Sequence, residues 1–266
     1  LDSLNLMTGE EIMIEVEQFP CLSDNYGYLI HDTKSGLTAA IDTPESAAIL
    51  AALARRGWSL DYIWNTHHHF DHAGNNLELK EKTGCKIIGP KGEADRIPGI
   101  DEAVDDGDIV SLGDAEAKVL NVGGHTLGHI AFYFAEDEKA FVGDTIFALG
   151  CGRIFEGTAE QMWASLQKIA ALPATTTLYC AHEYTAANAR FACHIDGQNQ
   201  ALKDRAKDID IARSKDIPTV PTRLSTELET NPFLRPHDPK IRDFLNMADA
   251  RDVDVFAEIR RQKDIF

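Results

Sequence analysis

Between residues 66 and 72 the chain reads Thr66-His67-His68-His69-Phe70-Asp71-His72, directly after the apolar stretch Tyr62-Ile63-Trp64 and just before Ala73-Gly74. This H-x-H-x-D-H run follows a strand and leads into a helix, so rigid elements hold it on both sides. In extended backbone, residues i and i+2 project to the same side, so His67 and His69 present two imidazoles to one ion while His68 faces away. Asp71 and His72 lie where the chain turns into the helix, and their side chains diverge toward a second ion. The spacing suits two metals better than one.

Three more groups stand at similar places, each after an apolar strand and a small-residue turn: His125 after Val122-Gly123-Gly124, Asp144 after Phe141-Val142-Gly143, and His182 after Cys180-Ala181. Strand-end loops on a rigid sheet can bring ligands together from distant positions. His67, His69 and His125 are expected to bind one ion, Asp71, His72 and His182 the other, and Asp144 to bridge them through its two oxygens. The run is internal and interrupted, unlike a tag. No cysteine has ligand spacing, which argues against a closed structural zinc site. His68 and His129 are read as packed or supporting residues, and His31, His194 and His237 as surface residues. Cys151 and Cys180 are read as inert buried thiols. Gly150-Cys151-Gly152 with Gly157 fails the dinucleotide spacing, and no G-x-S-x-G elbow is present.

A net charge of −17 repels phosphate backbones and anionic lipid, which speaks against nucleic-acid binding and membrane attachment. No apolar run approaches the roughly 18 residues of a membrane span. The first residues, Leu1 to Met7, carry Asp2 where a signal peptide is basic. Five widely spaced cysteines without a C-x-x-C pair argue against a disulfide framework and for a reducing cytoplasm.

Short runs rich in Val, Ile, Phe and Tyr predict strands at 12–18, 26–31, 38–42, 62–65, 86–89, 117–122, 131–134, 140–142 and 177–180. Helices are predicted at 46–56, 74–82 and 159–171. Many closely spaced strands with few helices imply an α/β domain of two sheets, spanning residues 1–185. After Tyr184 the texture changes: 186–213 reads as one long polar helix, prolines punctuate 218–239, and 241–263 reads as helices packing a small second core. A smaller helical domain over 186–266 follows from this.

The H-x-H-x-D-H run, Gly123-Gly124-His125-Thr126-Leu127-Gly128-His129, Gly143-Asp144-Thr145 and Cys180-Ala181-His182 together resemble the metallo-β-lactamase superfamily. A closer resemblance, to the glyoxalase II (hydroxyacylglutathione hydrolase) family, extends through residues 150–158, His182-Glu183-Tyr184-Thr185, Asn231-Pro232-Phe233 and Arg260-Arg261-Gln262-Lys263-Asp264. The resemblance implies an αββα sandwich, two divalent ions (zinc first, iron or manganese as alternatives) and a helical C-terminal domain that helps bind glutathione. It implies that Arg153, Arg260 and Lys263 contact the glutathione carboxylate region and that Tyr184 hydrogen-bonds the tripeptide. Phe155 stands where the family often has tyrosine, and Arg153 where it often has lysine.

The reaction implied is hydrolysis of S-2-hydroxyacylglutathione thioesters, S-D-lactoylglutathione first, by a hydroxide bridging the two ions, in methylglyoxal detoxification. The partner expected is that small thioester, with the chain acting as a monomer. Two other readings share these residues: a glutathione persulfide dioxygenase of the same fold, and a non-catalytic glutathione- or metal-binding module.

Overall fold

In the computed structural model, which describes residues 13–266, two six-stranded sheets pack face to face. The first holds β1 (Ile14–Cys21), β2 (Asn25–Asp32), β3 (Thr38–Ile41), β4 (Tyr62–Trp64), β5 (Lys86–Pro90) and β6 (Glu102–Val104), side by side in that order. Helix α1 (Ser46–Arg56) crosses from β3 to β4. The short α2 (Phe70–Ala73) and α3 (Asn76–Thr83) lead from β4 to β5, so β3 to β6 run parallel. In the second sheet, β7 (Ile109–Leu112), β8 (Ala115–Asn121), β9 (Ile130–Phe134) and β10 (Lys139–Gly143) form an antiparallel meander.

A small hairpin of β11 (Ile146–Phe147) and β12 (Gly150–Cys151) follows, then α4 (Ala159–Ala170) and β13 (Thr177–Cys180), which pairs parallel to β10. The rest of the chain holds α5 (Thr185–Ile195), α6 (Gln200–Arg213), β14 (Thr222–Arg223), α7 (Leu224–Thr230), α8 (Pro239–Leu245) and α9 (Asp252–Ile265). Through β14, which pairs with β13, this helical region adds the last strand to the second sheet.

Side-chain alternation explains the layers. Tyr28, Ile30, Ile41, Trp64 and Ile88 point into the space between the sheets and meet Val119, Phe132, Phe134 and Phe141. Their neighbours Leu29, Ala40, Ile63 and Ile87 point the other way, onto Ile49, Leu53 and Leu79 of α1 and α3. On the far side, Met162, Leu166 and Ile169 of α4 close the fourth layer. The expected αββα sandwich with a C-terminal helical part is the observed architecture.

Direction of travel puts the chemistry on one edge. Strands β3 and β4 are parallel. In the second sheet β8 and β10 are both antiparallel to β9, and β13 is parallel to β10, so β8, β10 and β13 end on the same side. Backbone bonds join the two sheets there: Ile130 N–H donates to Thr66 O (2.9 Å) and Tyr26 N–H to Ala181 O (2.7 Å).

Several predicted boundaries differ from the structure. Residues 102–104, 109–112, 146–147, 150–151 and 222–223 are strands that were not predicted, most of them only two or three residues long, and the predicted residue Ile12 lies outside the described residues, as does the Leu1 to Met7 segment. The 186–213 segment is two helices, because Asn199 caps α6 by accepting from Leu202 N–H (3.2 Å). The 241–263 segment breaks at Asn246, whose φ of 56° closes α8. Its apolar residues Val255, Phe256 and Ile259 join the main core instead of forming a second one. The separate small cluster is built by α5 and α6, from Ala189, Ala192, Leu202 and Ile209, with Leu149 of the β11–β12 turn inserted among them. Among the described residues no helix is long and apolar enough to cross a membrane. All five cysteines are free thiols.

Candidate metal centre and substrate groove

The loop after β4 delivers His67 and His69, and the turn after β8 delivers His125. His67 Nε2 and His125 Nε2 each lie 3.1 Å from His69 Nδ1. That is close to the roughly 3.3 Å edge of a tetrahedron whose metal–nitrogen bonds are about 2.0–2.1 Å. The nitrogen opposite is held in two of the three: His125 Nδ1–H donates to Arg153 O (2.8 Å), and His67 Nδ1 sits 3.0 Å from Thr66 Oγ1. Burial, joined by the charge of neighbouring imidazoles, drives His67 well below its ordinary value and lowers His69. Burial also lowers His125, against the pull of Asp144. These imidazoles are therefore neutral, as metal ligands must be.

A second cluster adjoins the first. Asp71 and His72 come from α2, and His182 from the end of β13. His72 Nε2 lies 3.4 Å from Asp71 Oδ2, as does His182 Nε2. Asp144, at the end of β10, stands between the groups: Oδ2 lies 3.4 Å from His125 Nε2, while Oδ1 lies 3.5 Å from His72 Nε2 and 3.4 Å from His182 Nε2. Three overlapping groups can each hold a cation: His67, His69 and His125; His67, His72 and Asp144; and Asp71, His72 and His182.

The donor set passes a physical test for divalent ions. His72 Nε2 and Asp144 Oδ1 are buried without a hydrogen-bond partner, an expense that a cation between them removes. Asp42 Oδ2 accepts from His72 Nδ1 and Asp24 Oδ1 from His182 Nδ1, both at 2.8 Å, so each ring turns its Nε2 lone pair inward. Burial favours neutral His72 and His182, but Asp144 and the other carboxylates outweigh it and raise both. Burial likewise opposes ionisation of Asp144, yet the His182 and His72 charges hold it far below the usual carboxylate range. This spot calls for positive charge, and an ion binding there displaces protons.

Backbone detail keeps these groups in place. Gly143 has a φ of 48°, and a Cβ on it would lie 2.7 Å from both His129 Nε2 and Thr66 Oγ1, so β10 can reach Asp144 only with glycine there. His129 accepts from Asp144 N–H (3.1 Å) and stacks on His67. His68, in the loop after β4, turns away from its neighbours His67 and His69: its Nδ1 lies 2.5 Å from Glu93 Oε2. His68, Glu93 and Glu156 form a further His/Glu cluster, in which Glu93 also accepts from His68 N–H and Gly128 N–H. Asp42, Asp24, Glu93 and Asn25, whose Nδ2 donates to Asp71 Oδ2 (3.0 Å), escaped the sequence reading. Asp42 alone had a local signal, at the end of a predicted strand like the other site groups. Its φ of 59° and its bonds to Thr66 N–H (2.7 Å) and Thr66 Oγ1 (2.8 Å) mark a constrained position.

The centre opens into a groove of about 610 Å³ that also reaches Phe147, Cys151, Arg153, Phe155, Tyr184, Arg260 and Lys263. Tyr184 stacks on His182 at 4.7 Å, and the exposed Phe155 ring meets His125 edge-on at 5.2 Å. Arg153 is exposed, whereas Arg260 is 5% exposed and donates to Cys151 O (2.8 Å) and Asp264 (2.9 Å). Burial, then the charges of Arg260, Arg190 and Arg153, pull Lys263 down to about 8. Cationic side chains crowded this way favour an anion among them. Burial pushes the Cys151 and Cys180 thiols up to about 11 and about 12, which makes them inert. Of the histidines expected at the surface, His194 and His237 are exposed, His194 beside the rings of Phe244 and Phe266, whereas His31 is half-buried and stacks on Trp58.

Comparison with known proteins agrees with this geometry. The metallo-beta-lactamase superfamily model matches residues 34–182, and the model for the hydroxyacylglutathione hydrolase C-terminus matches residues 183–266. A hydroxyacylglutathione hydrolase of Hyphomonas neptunium is 58% identical over 255 residues, 96% of this chain and 99% of the relative. The solved structure of ETHE1 from Myxococcus xanthus superposes with a TM-score of 0.65 at 23% identity, over 94% of this chain and 99% of the other. TTHA1623, solved in a di-iron-bound form, gives 0.60 at 23% identity, over 83% and 100%. The two C-terminal and N-terminal matches together with a relative so similar over nearly its whole length establish that the chain belongs to the hydroxyacylglutathione hydrolase family of the metallo-β-lactamase superfamily.

Proposed function

We propose that this chain hydrolyses S-2-hydroxyacylglutathione thioesters, S-D-lactoylglutathione foremost, to a 2-hydroxy acid and glutathione. The observation that carries the reading is one groove with two clusters of metal-ligating side chains at its head and crowded cations along its wall. His67, His69 and His125 would hold one ion and Asp71, His72 and His182 the other, with an oxygen of Asp144 for each. When bound, such a pair supplies a water of pKa near 7 as nucleophile and a Lewis acid for the carbonyl oxygen. Imidazole and carboxylate ligands without thiolate suit zinc, iron or manganese, and a di-iron form is known for the structural relative TTHA1623.

The chain's own residues orient the substrate. Arg153, Lys263 and, from beneath, Arg260 supply positive charge for the glutathione carboxylates, in a molecule whose net charge is −17. Tyr184, stacked on His182, lies where it can hydrogen-bond the tripeptide next to the reacting bond. A thiol of ordinary pKa, near 8.5, leaves as thiolate without a proton donor. The inert state of Cys151 and Cys180 fits that economy. The likeness to ETHE1, at 23% identity, carries the fold alone.

The test is thiol release from S-D-lactoylglutathione by the metal-loaded chain. Turnover of this thioester well above that of a simple acetyl thioester is expected. Absence of hydrolysis, with oxygen uptake on glutathione persulfide, would replace the reading.

A further inference from the structure

The motif Asn231-Pro232-Phe233 has no part in the ligand clusters or in the groove wall, and its place in the structure is specific. Its neighbour is the β11–β12 hairpin, which follows Asp144 directly. Five consecutive residues of that hairpin each have a backbone group held by a side chain of the helical region. Asn231 Nδ2 donates to Phe147 O (3.3 Å) and Gly150 O (3.0 Å), Asn188 Nδ2 to Ala148 O (3.1 Å), and Arg260 to Cys151 O (2.8 Å). Leu149 N–H donates to Glu227 Oε2 (2.9 Å).

Glu227 is fully buried, paired with Arg205, and also accepts from Asn231 Nδ2 (3.0 Å) and Thr222 Oγ1 (2.6 Å). Leu149 itself has a φ of 59° and its side chain is buried in the α5–α6 cluster. A leucine adopts that backbone only when its surroundings hold it there.

The hairpin in turn touches both ligand clusters. Its outgoing strand brings Gly152 against the centre: a Cβ there would lie 2.0 Å from Asp144 O and 3.2 Å from His125 Nδ1. Gly152 N–H donates to Thr145 O (3.2 Å), and the next residue supplies Arg153 O, the acceptor of His125 Nδ1–H. On the incoming strand, the Phe147 ring meets His182 edge-on at 5.9 Å.

We propose that Glu227 and Asn231 are positioning residues for the metal centre: they grip the 147–150 turn, and the turn sets Asp144, His125 and His182. The helical region then acts in assembling the centre as well as in binding substrate. The inference rests on the ligand reading above.

Asn231→Ser removes the two donations to the turn and keeps a small polar group, and Glu227→Gln keeps the shape but loses the charge. For each, Zn²⁺ affinity is measured on the metal-free chain by competition with a chromogenic chelator, beside kcat and KM for S-D-lactoylglutathione. The expected result is a Zn²⁺ affinity weaker by about 10- to 100-fold, the usual effect of losing a support behind metal ligands. A matching fall in kcat is expected, with KM within about twofold. Unchanged Zn²⁺ affinity, or a rise in KM alone, overturns the proposal. Loss of far-UV circular dichroism in both metal-free variants also overturns it, since the residues would then be structural supports only. Because Zn²⁺ binding is read without substrate, a wild-type chain that binds zinc but leaves the thioester intact would refute the proposed activity and not this inference.

Discussion

Burial and the guanidinium groups of Arg260, Arg190 and Arg153 bring Lys263 from its ordinary value near 10.5 down to about 8. The sign of the consequence follows directly: Lys263 is charged below that pH and loses its charge as pH rises through it. For an anionic thioester, kcat/KM is therefore expected to fall above about pH 8, since it reports the ionisation of the free enzyme. Lys263→Arg, which stays charged, should hold the alkaline limb flat to pH 9. Lys263→Ala should raise KM by roughly 10- to 100-fold at pH 7, about 1.5–3 kcal/mol for a hydrogen bond to a charged group. Identical alkaline limbs in the wild type and Lys263→Arg would remove this residue from binding. Which residues could be read beforehand follows from sequence distance. His67, His69, Asp71 and His72 fall within six positions, and the strand period tells which of them face together. Asp24 and Asp42 lie 158 and 30 positions from the histidines they orient, so only the folded chain pairs them.

At the scale of elements, the short 3₁₀ turn at Lys91–Arg96 ties two ligand loops together. Its Glu93 is 3% exposed and accepts from His68 N–H and Gly128 N–H, both at 2.9 Å, one bond to each loop. Glu93→Ala strands two buried donors and should destabilise the fold by on the order of 2–3 kcal/mol, as read by urea unfolding of the metal-free chain. A change under about 0.5 kcal/mol would mean that water satisfies those groups instead. The longer strands and α1 were legible because their apolar period and the αL glycine ending α1 sit in contiguous sequence. The β11–β12 hairpin and β14 were not: two residues carry no period, and their pairing depends on Asn231, Glu227 and the register of β13. The single helix expected over 186–213 failed for a related reason, since polar helix faces look alike on either side of a break.

For the whole molecule, the two-sheet plan is what lets ligands from distant segments meet. β4 belongs to the first sheet, whereas β8, β10 and β13 belong to the second, and their ends share one edge. The packed aromatic layer of Trp64, Phe132, Phe134 and Phe141 holds the sheets at the separation this meeting requires. Asp144 stands at the centre of that arrangement, facing His125 with one oxygen and His72 and His182 with the other. The direct test is elemental analysis of the purified wild type and of Asp144→Ala, each assayed on S-D-lactoylglutathione. The account predicts about two divalent ions per wild-type chain. It predicts fewer in the variant, with turnover lower by more than the roughly 10- to 100-fold that loss of a supporting partner costs. A variant that keeps both ions and full turnover would contradict it.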